Sequence, residues 1–376
     1  MPFFERRKLS MLRVLPRRLA AWMVSLSFSL HPDAFAFVMA TGIVSNALFL
    51  EGYREMSGWL FGLNALAYPW LAILTLVRAF RFPEAMCADL LDPRIIFSFF
   101  TLIAANGVFG AGLNLRGVHA EPLDLWLLSL PVWAVLIYLS FGVYVFRNSA
   151  RLSDVIDGGW LLAVVATQSL VILGALITPS AAHFDGIILV FIHMLWGLGI
   201  GLYALYAALL SYRLFYTEVH PADLTPILWV VMGAAAISVN AGSNLLLTPS
   251  SMPSLAAMRP FIEGATFISW AWAAFWIPLL ALFGIWKHGI CRVPLSYEPA
   301  LWAIVFPLGM FAVASLRLSL AADFPPLQDV SVTVMWVSVA TWIATFLGLA
   351  IKSFRGIREV VVLQAPAQDP DFTPSS

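Results

Sequence analysis

Several hydrogen-bonding side chains stand in the middle of otherwise apolar stretches. His31–Leu50, "HPDAFAFVMATGIVSNALFL", is apolar enough to cross a bilayer, yet it carries Thr41, Gly42, Ser45 and Asn46 halfway along. Thr101, Asn106, Gln168 and Asn240 occupy comparable places in later stretches, and Phe306 directly precedes Pro307 in "WAIVFPLGMFAVASLRL". Hydroxyls and amides at such depth can coordinate a solute, but without an ionisable neighbour they cannot move protons or attack bonds. Left unpaired in lipid they are expensive. Each therefore lines a wet path or ties helices together, at roughly 0.6–2 kcal/mol per tie. On residue type alone the two readings stand level.

Other chemistries find little support. The 6 histidines and the 2 cysteines, Cys87 and Cys291, show no metal-ligand spacing. "GLGIG" at Gly197–Gly201 lies within an apolar run with no strand before it, unlike a dinucleotide loop. A membrane-embedded enzyme needs clustered ionisable groups near one interface, and the sequence shows no such cluster. His193 reads as a packed neutral ring. A formal net charge of zero argues against a nucleic-acid partner. The expectation is a protein with no catalytic residue, no metal and no cofactor.

The elements that must position these residues follow from composition. The chain is 61% hydrophobic and 11% charged, where soluble domains carry about a quarter charged residues. Spans of roughly 20 apolar residues are expected at about 34–50, 57–78, 95–114, 122–146, 158–178, 186–211, 224–247, 257–285, 299–319 and 330–351. They lack the alternation of barrel strands, so an all-α membrane fold follows. Three regions are expected: a basic N-terminal segment over 1–30, a transmembrane domain over 31–352 and a disordered tail over 353–376. Of the Lys and Arg residues, 17 fall on the side of the termini and 4 on the other. The positive-inside rule then places both termini in the cytoplasm and the protein in a plasma or inner membrane. Ala34-Phe35-Ala36 has the form of a signal-peptidase site, but it sits inside a segment that continues as a full span. Leu19–Leu30 is expected instead as an amphipathic helix on the inner membrane surface.

The odd spans repeat a pattern. His31-Pro32, Asp92-Pro93, His220-Pro221 and Glu298-Pro299 precede spans 1, 3, 7 and 9, and Asp157-Gly158 introduces span 5. Proline costs nothing in the first helical turn. Five hairpins inserted in one sense suggest a parallel repeat about the membrane normal. Of 15 tryptophans, 11 fall in or at the ends of the even spans, while the odd spans hold Trp160, Trp229 and Trp302 near their starts. Midway the odd spans turn small and polar, as in "MATGIVSNA", "AANGVFGAG" and "ISVNAGSN". Small residues also let helices pack closely. Their recurrence in every odd span favours slim odd helices around a central pore, with bulky even helices outside. Thr41, Gly42, Ser45, Thr101, Asn106, Gln168, Asn240 and Pro307 are then the candidate pore lining. Arg259 and Arg317 are weaker candidates for an outer vestibule, against the alternatives that Arg259 pairs with Glu263 and Arg317 snorkels toward Asp323 or the headgroups.

"FAFVMATGIVSNAL" in span 1 and "WAIVFPLGMFAVASLRL" in span 9 resemble the tellurite-resistance/dicarboxylate transporter family. That family includes fungal malate permeases, sulfite efflux pumps, bacterial tellurite-resistance proteins and the slow-type anion channels of plant guard cells. The resemblance covers about residues 30–352. It implies five helical hairpins around a quasi-fivefold pore, a homotrimer with one pore per subunit, and a small anionic substrate. A C4-dicarboxylate such as malate or succinate is expected, with sulfite or tellurite-linked oxyanion efflux or an anion channel as the alternative. In the channel branch a phenylalanine of the ninth helix blocks the pore, and Phe306 matches it as the gate. Among the odd spans only the ninth has a mid-helix proline, Pro307; spans 1, 3 and 7 have glycines there. A membrane scaffold or sensor without transport is the rival from another class.

Overall fold

In the computed structural model, residues 23–147, 156–180, 185–250 and 252–363 are described. Among them ten helices are long and apolar enough to cross a membrane. They are α1 (Pro32–Leu50), α2 (Arg54–Arg81), α3 (Ile96–Leu115), α4 (Ala120–Arg147), α5 (Gly158–Ile177), α6 (Asp185–Tyr216), α7 (Pro226–Leu247), α8 (Pro253–Ile290), α9 (Pro299–Ala321) and α10 (Pro326–Arg355). No strand occurs among the described residues, as expected where lipid offers backbone groups no partner. The expected basic arm before residue 23 and the tail from 364 lie outside the described residues. Helical backbone continues from α10 to Leu363, past the expected boundary at 352.

Each odd helix opens with a 3₁₀ turn, at Pro32–Phe35, Ile96–Phe99, Gly158–Leu161, Pro226–Trp229 and Pro299–Leu301. Proline stands first in three of them, at Pro32, Pro226 and Pro299, where its missing N–H would be unpaired anyway. At α5 the Asp157 carboxylate does the capping and accepts from the Gly159 N–H at 2.8 Å. Two starts differ from expectation: Asp92-Pro93 lies in a turn ahead of α3, which opens at Ile96. Thr225-Pro226, not His220-Pro221, opens α7. His220 belongs to a preceding turn, where its N–H donates to the Asp223 carboxylate at 2.8 Å.

The odd helices form a closed ring in which α1 packs on α3, α3 on α5, α5 on α7, α7 on α9, and α9 back on α1. Each even helix covers its own hairpin partner and touches the following odd helix. The chain itself buries 67–94% of the membrane stretch of the odd helices but only 11–50% of the even ones. This difference defines an inner ring and an outer shell. Small residues make the inner contacts possible. A Cβ on Gly158 would lie 2.3 Å from the Ile227 carbonyl oxygen, so the starts of α5 and α7 meet backbone to backbone. A Cβ on Gly233 would lie 2.8 Å from the Pro307 ring, so the bend-forming proline of α9 is seated against α7.

Candidate functional site: two cavities on the axis of the ring

All five odd helices contribute to each of two cavities. The basal cavity, about 460 Å³, is lined by their starts, among them Asp33, Arg94, Gly159, Ile227 and Pro299. The distal chamber, about 30 Å³, is lined by their later turns, including Leu50, Leu115, Leu176, Asn244 and Arg317. All five odd helices therefore run in the same direction. Between the cavities the ring is closed. On α1 the lining passes in one turn from Met39 below to Ile43 above, and on α9 from Phe306 below to Met310 above. Phe306 is 3% exposed, so its ring is packed into the end of the basal cavity.

Some sequence candidates come together here and others turn away. Thr101, Phe306 and Trp302 line the basal cavity; Asn46, Asn240 and Arg317 line the distal chamber. Thr41 faces outward and accepts from the Trp342 indole of α10 at 3.1 Å. Asn106 bonds sideways, accepting from Tyr68 of α2 and donating to Ser129 of α4, both at 2.8 Å. The Gln168 amide donates to the Trp196 carbonyl of α6 at 3.3 Å. Gly42 is a packing position, where a Cβ would meet Asn64 and Val108. Pro307 sits against Gly233. In each case the polar or small group serves contact with a neighbouring helix. Arg259 makes no ion pair with Glu263 among the described residues; it donates to the Leu246 carbonyl at 2.9 Å, near the end of α7. Arg317 turns to the axis rather than to Asp323, and it has no hydrogen bond or ion pair among the described residues. Trp160 and Trp302, near the starts of α5 and α9, line the basal cavity, because the helix starts surround it.

The two cavities differ in charge. The basal cavity is lined by Asp33, Asp157, Asp223 and Glu298 with Arg94 and Arg213. Arg213 is committed to Asp223 at 3.1 Å and to the Ile156 carbonyl at 2.9 Å. At its rim His31 Nδ1 lies 2.7 Å from the Asp33 carboxylate, and this contact raises the imidazole pKa above its ordinary 6.5. Among the described residues no carboxylate lines the distal chamber, and Arg317 is its charged residue.

Ser45 belongs to a cluster not anticipated from the sequence. Arg116, just beyond α3, donates to the Ser45 hydroxyl at 2.9 Å, the Ser57 hydroxyl at 2.6 Å and the Gly112 carbonyl at 2.8 Å. Its guanidinium lies 3.9 Å from the Phe61 ring centroid and 4.8 Å from that of Phe49. Hydrogen bonds and aromatic faces thus hold a charge at the junction of α1, α2 and α3. The signal was hidden because its partners, at 45, 57 and 112, share no local spacing.

Comparison with known proteins supplies the chemistry of the solute. The profile of a family described as voltage-dependent anion channel matches residues 29–350, nearly all of the ten spans. The chain belongs to the voltage-dependent anion channel family. This family member is a multi-pass membrane protein of anion transport, in agreement with the resemblance carried by spans 1 and 9. It is also similar to two proteins of Methanocaldococcus jannaschii named uncharacterized transporters, each 24% identical over 86% of this chain and 94% of the relative. An uncharacterized membrane protein of Mycobacterium tuberculosis is 40% identical over 148 residues, which is 39% of this chain and 75% of that protein.

Proposed function

We propose that small anions cross the membrane along the axis of the five odd helices, through one path in each subunit, and that Phe306 closes that path. The observation that carries this reading is the pair of cavities on one axis, separated by a stretch bounded by the apolar Met39 and Phe306 below and Ile43 and Met310 above. A narrow apolar layer excludes water and with it a hydrated ion. The distal chamber, with one guanidinium and room for about one water, supports a small inorganic anion more than a C4-dicarboxylate. Malate or succinate needs a wider opening of the same layer. The charge split of 17 to 4 supports termini in the cytoplasm, and the family supports a homotrimer.

Reconstituted protein tests the reading by flux of chloride, nitrate, sulfite, malate and succinate in parallel. Phe306→Ala raises flux about tenfold, equivalent to removing roughly 1.4 kcal/mol of barrier; Phe306→Leu raises it less. Tyr138→Ala, on the exposed face of α4, leaves flux unchanged. Unaltered flux in a normally expressed and assembled Phe306→Ala protein would show that the ring merely packs and that the barrier lies elsewhere.

A further inference from the structure

The distal chamber contains a set of donors whose orientation is built in. Asn244 Nδ2 donates to two acceptors of Asn240, its carbonyl oxygen at 2.7 Å and its side-chain Oδ1 at 2.8 Å. Both of its N–H groups are thereby used. The Asn240 amide cannot flip without losing the second bond, so Nδ2 is held as the outward end. Its partner among the described residues is the Met310 sulfur at 3.5 Å, a weak acceptor. A buried amide, 4% exposed, thus presents a donor into the chamber with only a thioether to receive it. On α9 Arg317 lines the same space, half-buried, and its guanidinium has no hydrogen bond or ion pair among the described residues. Two donor-bearing residues without proper acceptors, one of them charged, line a chamber that has no carboxylate among the described residues.

We propose that Asn240 Nδ2 and Arg317 form a binding station for one small monovalent inorganic anion, of the size of chloride, bromide or nitrate, immediately beyond the Phe306 layer. Asn244 is its positioning residue. The proposal rests on the reading that anions travel along this axis, but it adds a resting site, its ligands and its size class. The anion replaces part of its hydration with the Asn240 N–H and the guanidinium. The lining is apolar at Ile43, Ile172, Ile237 and Val313, and its other polar side chains on α1 and α5, Asn46 and Ser169, donate to the Val108 and Val165 carbonyls. Neutral donors with one charge, rather than several charges, hold an anion weakly enough to release it, which conduction requires.

Binding and flux are measured separately. Binding is read as the rise in melting temperature of the full-length protein in detergent as bromide replaces gluconate at constant ionic strength, and as anomalous density in bromide-soaked crystals. Bromide stabilises the wild type, and its density peak lies between Asn240 and Arg317. Asn240→Asp keeps the acceptor for Asn244 but turns the donor into an anionic oxygen. It weakens bromide binding about tenfold or more, the scale of a lost hydrogen bond to a charged group, as does Arg317→Gln. Asn244→Leu weakens bromide binding by freeing the Asn240 amide; a purely structural role would lower the melting temperature and leave the bromide dependence unchanged. Absence of the peak, or bromide binding equal in wild type and Asn240→Asp, overturns the proposal. In the Phe306→Ala background, anion flux without a bromide site overturns the station and leaves transport standing. A bromide site abolished by Asn240→Asp, in a protein that passes no anion, supports the station and overturns the transport reading.

Discussion

The contact between His31 and Asp33 shows how one residue marks the mouth of the basal cavity. The imidazole lies 2.7 Å from the carboxylate at the start of α1, and that contact is the first cause of its raised pKa. A histidine whose folded pKa lies above its unfolded 6.5 stabilises the fold fully below 6.5 and loses that contribution as pH climbs through the raised value. NMR titration of His31 in detergent is expected to give a value above 6.5, and Asp33→Asn to bring it back toward 6.5. A wild-type value at or below 6.5 would mean that desolvation outweighs the carboxylate. Phe306, Asn240 and Arg317 belong to the same scale: their types are ordinary, and what sets them apart is which cavity each one lines.

At the scale of the element, the odd helices work because they are slim where they meet. Gly158 is the tightest case, with space for a Cβ blocked at 2.3 Å by the Ile227 carbonyl and at 2.8 Å by its carbon. Backbone cannot step aside as a side chain can, so α5 and α7 must separate. Gly158→Ala is expected to destabilise by about 1–3 kcal/mol, the range for overpacking, and to lower the thermal midpoint in detergent. Gly197→Ala, on α6 with nothing within 4 Å of the added carbon, serves as the neutral control. Equal midpoints for the two variants would show that the ring tolerates separation of its helix starts. The hydrogen bonds of Thr41, Asn106 and Gln168 belong to this scale too, since they bind odd helices to the outer shell.

At the scale of the whole molecule, the outer shell is not uniformly bare. The chain buries 39% and 50% of the membrane stretches of α4 and α6, but only 11%, 17% and 22% of α2, α8 and α10. Those three are neighbours around the ring, because α8 and α10 flank α9 while α10 and α2 flank α1. One side of the subunit therefore has far more membrane-facing surface to offer to lipid or to another copy. With the trimer expected from the family, mass measurement in mild detergent should give about three times 41.4 kDa of protein. A stable monomer that still conducts anions would refute the assembly and leave the path within the subunit intact.

The ten spans, their helical form and the division into slim odd and Trp-rich even helices were legible in the sequence, because lipid imposes them locally. A span must be apolar, about 20 residues long and satisfied in its own backbone hydrogen bonds. The breadth of the ring's small-residue pattern and the family likeness of spans 1 and 9 were legible for the same reason. Which way each polar group points was not. An amphipathic helix declares its buried face by its apolar stripe, but a helix buried all round carries no such direction. Thr41, Asn106 and Gln168 thus looked the same as Asn240, although the first three bond outward to α10, to α2 and α4, and to α6, while Asn240 faces the axis. Only the closed ring decides this, by setting Met39 beside the same cavity as Phe306 and Ile43 beside the same chamber as Met310, and by leaving Arg317 a chamber to face instead of a carboxylate. The α1 and α9 members of each pair are 267 positions apart in the chain, and no local spacing connects them.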